Sequence, residues 1–338
     1  MSILSSSVQE IKGKLLMLWS WSTSRMFQKC QRQWYFKTEV ASHASKEENR
    51  REAYLLSKLQ SVSAWRGSLV DQVISTRVIP SLKYHRELNL LETIHYAQSL
   101  FEEQWQSAVS HRLRDPNFSR VGAEDNFAAF HVVEYGKEIK PKDRQQAWEE
   151  VEQALTNFSR MTELLDKLKS ASHLIPQRPL VYSLYEVKVR AVPDLIVFFN
   201  NRPPLIVDWK VSVFGTNDNR QQLGAYALAL SRCEPHKDFP SSIRNYTTID
   251  IQLLEVQLIT NIQRPYILTE TDVLEIDVFI YQSARQMQLA LGDEEDGSYH
   301  PFEYPVTDDP TLCERCNYRS LCWKERESWA EWKQTSLL

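Results

Sequence analysis

Apolar and polar positions are patterned most tightly between Tyr185 and Val213, YEVKVRAVPDLIVFFNNRPPLIVDWKVSV. Two apolar runs are separated by Asn200, Asn201, Pro203 and Pro204, which are turn formers, so the stretch predicts two strands joined in a hairpin. Leu205-Ile206-Val207 is a continuous apolar run, as expected of a strand covered on both faces. Ile249–Val256 alternates as a strand would, with Pro265–Leu268 as its pairing partner. The rest of the chain carries the longer period of helices. Ser22-Thr23-Ser24 offers cap hydroxyls for a helix through Arg25 to Phe36, with Met26, Phe27, Cys30 and Trp34 on its inward face. Further helices are predicted over 45–60, from Trp65 to a stop at Pro80, over 86–109 and 144–170, from Asn217-Asp218-Asn219 through Leu228, over Thr271–Leu291, and over Trp323–Trp332. Residues 111–141, 293–296 and 302–309 read as loops.

Chemistry enters at the strands. Side chains alternate along a strand, so Asp208 and Lys210 share one face while Trp209 packs on the other. A carboxylate and an ammonium beside a sheet core are costly to bury unless paired or bound to a metal. If the hairpin closes, Asp194 comes beside Asp208, and two carboxylates form a hard-oxygen site suited to Mg²⁺ or Mn²⁺. Asp71 lies one helical turn after Gly67; it is either a third carboxylate or an exposed helix aspartate, and the glycine would let a backbone or phosphate approach. Gln222 and Tyr226 stand at i and i+4 and can both point at the end of the sheet, or belong to an ordinary amphipathic helix.

Cysteine spacing adds a second feature. Cys313, Cys316 and Cys322 form C-x2-C-x5-C, with Cys30 far upstream. In a cytosolic chain such spacing favours metal ligation over disulfides, as tetrahedral zinc or an iron–sulfur cluster, with unrelated buried thiols as the plain alternative. Ligands from both ends of the chain would staple it into one loop. Cys233 has no neighbour and reads as a small core residue.

Composition narrows the class without choosing a function. At 338 residues, 42% hydrophobic and 25% charged, the chain can bury a large core, and only 8 glycines favour a helix-rich fold. A net charge of −4 gives no global pull on nucleic acid. Residues 1–60, however, hold ten Lys/Arg against five Glu, interleaved with Trp19, Trp21, Trp34, Tyr35 and Phe36. That stretch is either a solvated helical face or a phosphate-tracking surface. No run of 18 apolar residues and no signal peptide is visible, so a cytoplasmic protein with no membrane span is expected. The chain lacks G-x4-G-K-[ST], so any ATP-driven motor would be a partner.

Taken together, Pro193-Asp194, Asp208-x-Lys210, Gln222-x3-Tyr226 and the four cysteines resemble the PD-(D/E)XK nuclease superfamily, and more narrowly its RecB-type iron–sulfur branch. That branch includes CRISPR-associated exonucleases and the nuclease domains of bacterial recombination helicase–nucleases. The resemblance implies an α/β, restriction-endonuclease-like fold: a mixed central sheet flanked by helices, with a helical insertion and a four-cysteine staple joining the termini. It divides the chain into an N-terminal helical segment (1–60), a helical region (61–175), a nuclease core (176–290) and a C-terminal cysteine segment (291–338).

By the same resemblance, Asp194, Asp208 and the backbone of Trp209 would ligate Mg²⁺ or Mn²⁺, with Asp71 where the family commonly has histidine. Lys210 would position the attacking water and stabilise the transition state, while Gln222 and Tyr226 would contact DNA or support the metal shell. Cys30, Cys313, Cys316 and Cys322 would hold a structural [4Fe-4S] cluster. The implied activity is a DNA exonuclease acting on single-stranded or free-ended DNA in repair, recombination or defence, with a helicase or other such protein as partner in trans. The alternative is a weak or inactive DNA-binding subunit of a larger complex, favoured by Asp71 and the acidic net charge.

Overall fold

The computed structural model of the protein describes residues 18–115, 126–211, 219–291 and 300–323. Strands β1 (Leu18–Trp19), β2 (His173–Pro176), β3 (Leu180–Leu184), β4 (Val187–Ala191), β5 (Leu195–Phe198), β6 (Leu205–Lys210), β7 (Gln252–Gln257) and β8 (Ile262–Tyr266) form two sheets. The larger runs β2-β5-β6-β7-β8, the smaller β1-β4-β3.

The expected hairpin is β5/β6, antiparallel with Leu195 opposite Val207. β6 and β7 run parallel, Asp208 opposite Glu255, and the remaining pairs of the larger sheet are antiparallel. The central sheet is therefore mixed. Its chain crosses from β6 to β7 through a helix, as a parallel pair requires. The sequence pattern did not separate β4 from the hairpin: β3 and β4 make a second hairpin, and Val192-Pro193 carries the chain from one sheet to the other.

Helices cover both faces. They are α1 (Trp21–Lys29), α2 (Gln31–Tyr35), α3 (Glu48–Leu56), α4 (Val62–Val73), α5 (Ile79–Lys83), α6 (Leu90–Val109), α7 (His131–Glu134), α8 (Pro141–Arg160), α9 (Thr162–Lys169), α10 (Asn219–Arg232), α11 (Glu270–Leu291), α12 (Pro310–Glu314) and α13 (Arg319–Trp323). Ile196, Phe198 and Ile206 face the layer containing α10 and α11. Leu195, Val197, Leu205, Val207 and Trp209 face the layer of α4, α6, α8 and α9. A strand buried on both faces needs no polar alternation, which is why β5 and β6 read as near-continuous apolar runs.

Several helix boundaries differ from the sequence reading, each for a local reason. The first cap is Ser20, whose hydroxyl accepts the Thr23 N–H at 3.2 Å while Thr23 Oγ1 accepts the Ser20 N–H at 2.9 Å, a reciprocal capping box. The helix then breaks at Cys30, whose backbone is extended, and the Cys30 thiol accepts the Gln33 N–H at 3.4 Å to start α2. Pro80 does not stop a helix. A π-helical turn over Ile74–Val78 absorbs the register change, and Pro80 sits in the first turn of α5, where its missing N–H costs nothing. Met161, non-helical at ψ 67°, divides 144–170 into α8 and α9. The expected loop 111–141 contains the short helix α7. Asn217, Asp218, residues 293–296 and all but the first residue of the helix expected over Trp323–Trp332 lie outside the described residues.

In the described part of the basic N-terminal stretch, Trp21 is half-buried against the core. Trp19, Trp34, Tyr35 and Phe36 are all core residues, and Arg32 is buried. Among the described residues no helix is long and apolar enough to cross a membrane.

Candidate active site

Four elements meet at the end of the central sheet where β5 begins and β6 ends. Asp194 precedes β5 by one residue, and its Oδ2 accepts the backbone N–H of Trp209 at 2.8 Å, which ties the head of one strand to its neighbour. Asp208 is 2% exposed and faces α10; Lys210 follows on the same face, its Nζ 2.6 Å from Asp208 Oδ2. The Trp209 ring turns the other way and meets Phe158 edge-on at 5.4 Å. The alternation read from the sequence is therefore the alternation in the fold.

From α10, Gln222 accepts from Lys210 Nζ at 3.4 Å through Oε1 and donates through Nε2 to the Tyr226 hydroxyl oxygen at 2.6 Å. Lysine, glutamine and tyrosine thus form one hydrogen-bonded row, set by the i, i+4 spacing on a helix. The start of α10 is held by the adjoining strand. Asn219 hydrogen-bonds Glu255, which also accepts from Tyr266 at 2.9 Å and Arg264 at 3.2 Å and is fully buried.

Asp71 arrives from α4, on the opposite layer. It joins the others through Gln177, whose side-chain amide donates to Asp71 Oδ2 at 2.8 Å, Asp71 Oδ1 at 3.0 Å and Asp194 Oδ1 at 3.2 Å. Asp71 is half-buried rather than exposed, and it shares one hydrogen-bond donor with Asp194. A side chain added at Gly67 would meet nothing within 4 Å, so no part of the described chain uses that opening.

Three carboxylates converging in a half-buried place perturb one another. Burial pushes Asp194 well above the ordinary aspartate range, and the charges of Asp208 and Asp71 push it further, against the Trp209 N–H. Burial also raises Asp208; the Lys210 charge opposes this without cancelling it. Asp71 is pushed up to about 6, chiefly by burial, with the Gln177 hydrogen bond opposing and the Asp208 charge adding. Tyr226 is driven upward by burial and by the Asp208 and Asp194 charges, so its phenol stays protonated. Glu255 behaves oppositely: burial raises it, but its hydrogen bonds and the Arg264 charge win and hold it low. Burial is thus the first cause of the shift in all three acids, with charge repulsion adding to it, as is common where ionisable groups gather at a functional site.

The cysteines gather elsewhere. Cys30, Cys313, Cys316 and Cys322 line one pocket, together with Arg32, Phe36 and Tyr318. Arg32 Nη1 donates to Cys322 Sγ at 3.8 Å and Nε to the Tyr304 carbonyl at 3.0 Å. Burial and the neighbouring thiols push Cys316 upward. No disulfide joins cysteines among the described residues. Cys233 is buried in the core, apart from the four, with burial raising its thiol to about 11. Among the described residues no three carboxylate, imidazole or thiol groups already stand together as a single-ion site.

Sequence reasoning passed over Gln177, Glu255 and Arg32. Gln177 had one signal, its place in Pro176-Gln177-Arg178-Pro179, where two prolines mark a forced turn. Glu255 lay inside an alternating strand, and Arg32 among surface-like charges, with nothing local to single them out.

The sequence profile of the PD-(D/E)XK nuclease superfamily matches residues 18–323. The chain belongs to that superfamily, and the mixed sheet flanked by helices agrees with its restriction-endonuclease-like α/β fold. No curated protein matches it in sequence. Among solved structures, that of SSO0001 is similar at 12% identity over 54% of this chain and 76% of that one, with a TM-score of 0.27. Protein VC1899 from Vibrio cholerae is similar at 12% identity over 69% of this chain and 62% of that one, with a TM-score of 0.23.

Proposed function

We propose that the protein is a metal-dependent DNA nuclease, most active as an exonuclease on single-stranded or free-ended DNA, whose site comprises Asp71, Asp194, Asp208, Lys210, Gln222 and Tyr226. The observation that carries this reading is the run of contacts that brings Asp71, Asp194, Asp208 and Lys210 to one end of the sheet, through Gln177 and the Trp209 N–H. The donor set fits Mg²⁺ or Mn²⁺: the groups are hard oxygens, and Asp208 Oδ2 is buried without a well-directed hydrogen bond although Lys210 stands beside it. Asp194, Asp208 and Asp71, with the Trp209 backbone, would hold the ion. When bound it would lower the pKa of a water and polarise the scissile phosphate.

The chain's own residues do the rest. Lys210 is partly exposed on the solvent side of Asp208, so its ammonium can reach a phosphate oxygen or orient the attacking water. Gln222 offers that ammonium a second acceptor at 3.4 Å beside its 2.6 Å contact with Asp208, and Tyr226, protonated, can donate to a phosphate. The water oxygen bonds to phosphorus as the bond to the sugar oxygen breaks. One water proton reaches the departing sugar oxygen through solvent and the other stays with the new phosphate monoester or passes to solvent, so the site acids and Lys210 end in the protonation states in which they began.

At the cysteines a structural [4Fe-4S] cluster is the preferred occupant. Four thiols line one pocket, a donor set that such a cluster or a tetrahedral zinc ion would use. A helicase or another repair or defence protein acting in trans would supply the ATP-driven step. The test is cleavage of end-labelled single- and double-stranded DNA with Mg²⁺ or Mn²⁺ by anaerobically purified protein. Metal-dependent cleavage with release of short products from an end supports the proposal. Intact DNA binding without cleavage sinks it in favour of a binding subunit.

A further inference from the structure

We infer that Gln177 is a latch on the metal site: its amide is bonded to the carboxylates and must let go before a cation binds them. The inference rests on the metal reading of that site. Both oxygens of Asp71 and one of Asp194 accept from the same Gln177 Nε2, and the other Asp194 oxygen is taken by Trp209 N–H. A partly positive N–H₂ group therefore stands where like charges from two layers meet, and it is bonded to the lone pairs a cation would use. Hydrogen bonds to charged groups are the strong ones, so releasing them opposes ion binding.

The residue is fixed there from both ends. Gln177 adopts a left-handed backbone, φ 49°, which a non-glycine side chain takes only at a cost. Its own N–H donates to the Asp194 carbonyl at 3.1 Å, and Pro176 before it pairs with Leu195 on β5. Backbone and side chain thus hold Asp194 from two directions, and only the side chain needs to swing for the acids to be released. An amide suits this role where a carboxylate would not: it offers donors, adds no fourth negative charge, and after rotation presents an oxygen. The site is then stable without metal, and metal binding is weaker than three carboxylates alone would give.

The test is Mn²⁺ binding by the full chain, followed by calorimetry and by loss of the free-ion paramagnetic signal, with thermal melting in the absence and presence of Mn²⁺. Gln177→Ala removes the donor. Gln177→Met keeps the length and packing without an N–H, and serves if the alanine variant folds poorly. Both variants are expected to melt lower without metal, to gain more on adding Mn²⁺, and to bind Mn²⁺ roughly 10-fold or more tightly, since a lost competing bond to charged groups is worth at least that factor. Folded variants that bind Mn²⁺ no more tightly than wild type, or more weakly, would overturn the latch and make Gln177 a structural prop or a ligand. Wild-type protein that binds no Mn²⁺ at all would overturn the metal reading itself, and the latch with it.

Discussion

Asp194 and Trp209 are joined across two strands by a side-chain acceptor and a backbone donor, 2.8 Å apart, so one site carboxylate is also part of the sheet's hydrogen bonding. An amide in place of this acid keeps an acceptor but loses the charge. Asp194→Asn sheds a buried like charge but turns an N–H₂ toward the Gln177 amide, so it is expected to melt near the wild-type temperature and to bind no Mn²⁺ measurable by calorimetry. Asp194→Ala orphans the Trp209 N–H and is expected to lose about 1–3 kcal/mol in denaturant unfolding.

Lys210 is the charge that faces outward from the acid cluster. Lys210→Ala is expected to lower DNA cleavage by roughly 10²–10⁴-fold, the range for removing one proton-transfer or charge-stabilising group. DNA binding, read by fluorescence anisotropy, should change little. Equal losses in binding and cleavage would instead make the lysine a phosphate anchor.

The acids also set a pH dependence of stability. Asp71 titrates near 3.8 when unfolded and at about 6 when folded, raised first by burial. The folded state then holds the proton more tightly, so the metal-free protein is most stable below this window and loses stability as pH rises from about 4 through about 6. The displacement is worth about 3 kcal/mol for one carboxylate. Thermal melts from pH 4 to pH 8 should show the fall in wild type, a flatter profile in Asp71→Asn, and recovery with Mg²⁺ at the higher pH only. A rising profile over the same range is the contrary result.

Gly224 on α10 packs against α11, and a Cβ there would collide with Ile276 Cδ1 and touch Leu268 at 3.5 Å. Gly224→Ala is expected to cost about 1–3 kcal/mol through overpacking, despite alanine's better helix propensity. Shortening the opposing side chain in Gly224→Ala/Ile276→Val should return part of that loss. Urea titration of both variants measures it.

The four cysteines give a spectroscopic prediction. Protein purified without oxygen should absorb in the visible, in the thiolate-to-iron range, and Cys313→Ser should lose that absorption and melt at lower temperature. Colourless wild-type protein containing stoichiometric zinc would assign the pocket to zinc.

The site was partly legible in the sequence because its elements obey simple periods. Asp208, Trp209 and Lys210 alternate across a strand whose apolar run marks it as interior, and turn residues foretold that Asp194 would fold back beside them. Gln222 and Tyr226 were found through helical spacing. Gln177 escaped because its role comes from a left-handed turn and from two acids separated by 123 positions in the chain, at 71 and 194, which no local pattern records. The helix through Cys30 was drawn too long because periodicity cannot see a thiol that caps the next helix. Pro80 was given too much weight because a π-helical turn can deliver proline to the first turn of a helix without breaking it.

The buried contact between Arg32 and the Tyr304 carbonyl spans 272 residues of sequence. Tyr35 stacks on Tyr304 with ring centroids 4.0 Å apart, so this aromatic cluster is finished by a residue 269 positions further along the chain. At ordinary synthesis speeds the interval between the two is roughly 15–55 s. Throughout that time Trp34, Tyr35 and Phe36 lack part of their cover. That cluster is thus left open while the intervening chain is made, and the protein's yield in the cell should depend on chaperones that shield these aromatic residues until the closing segment emerges.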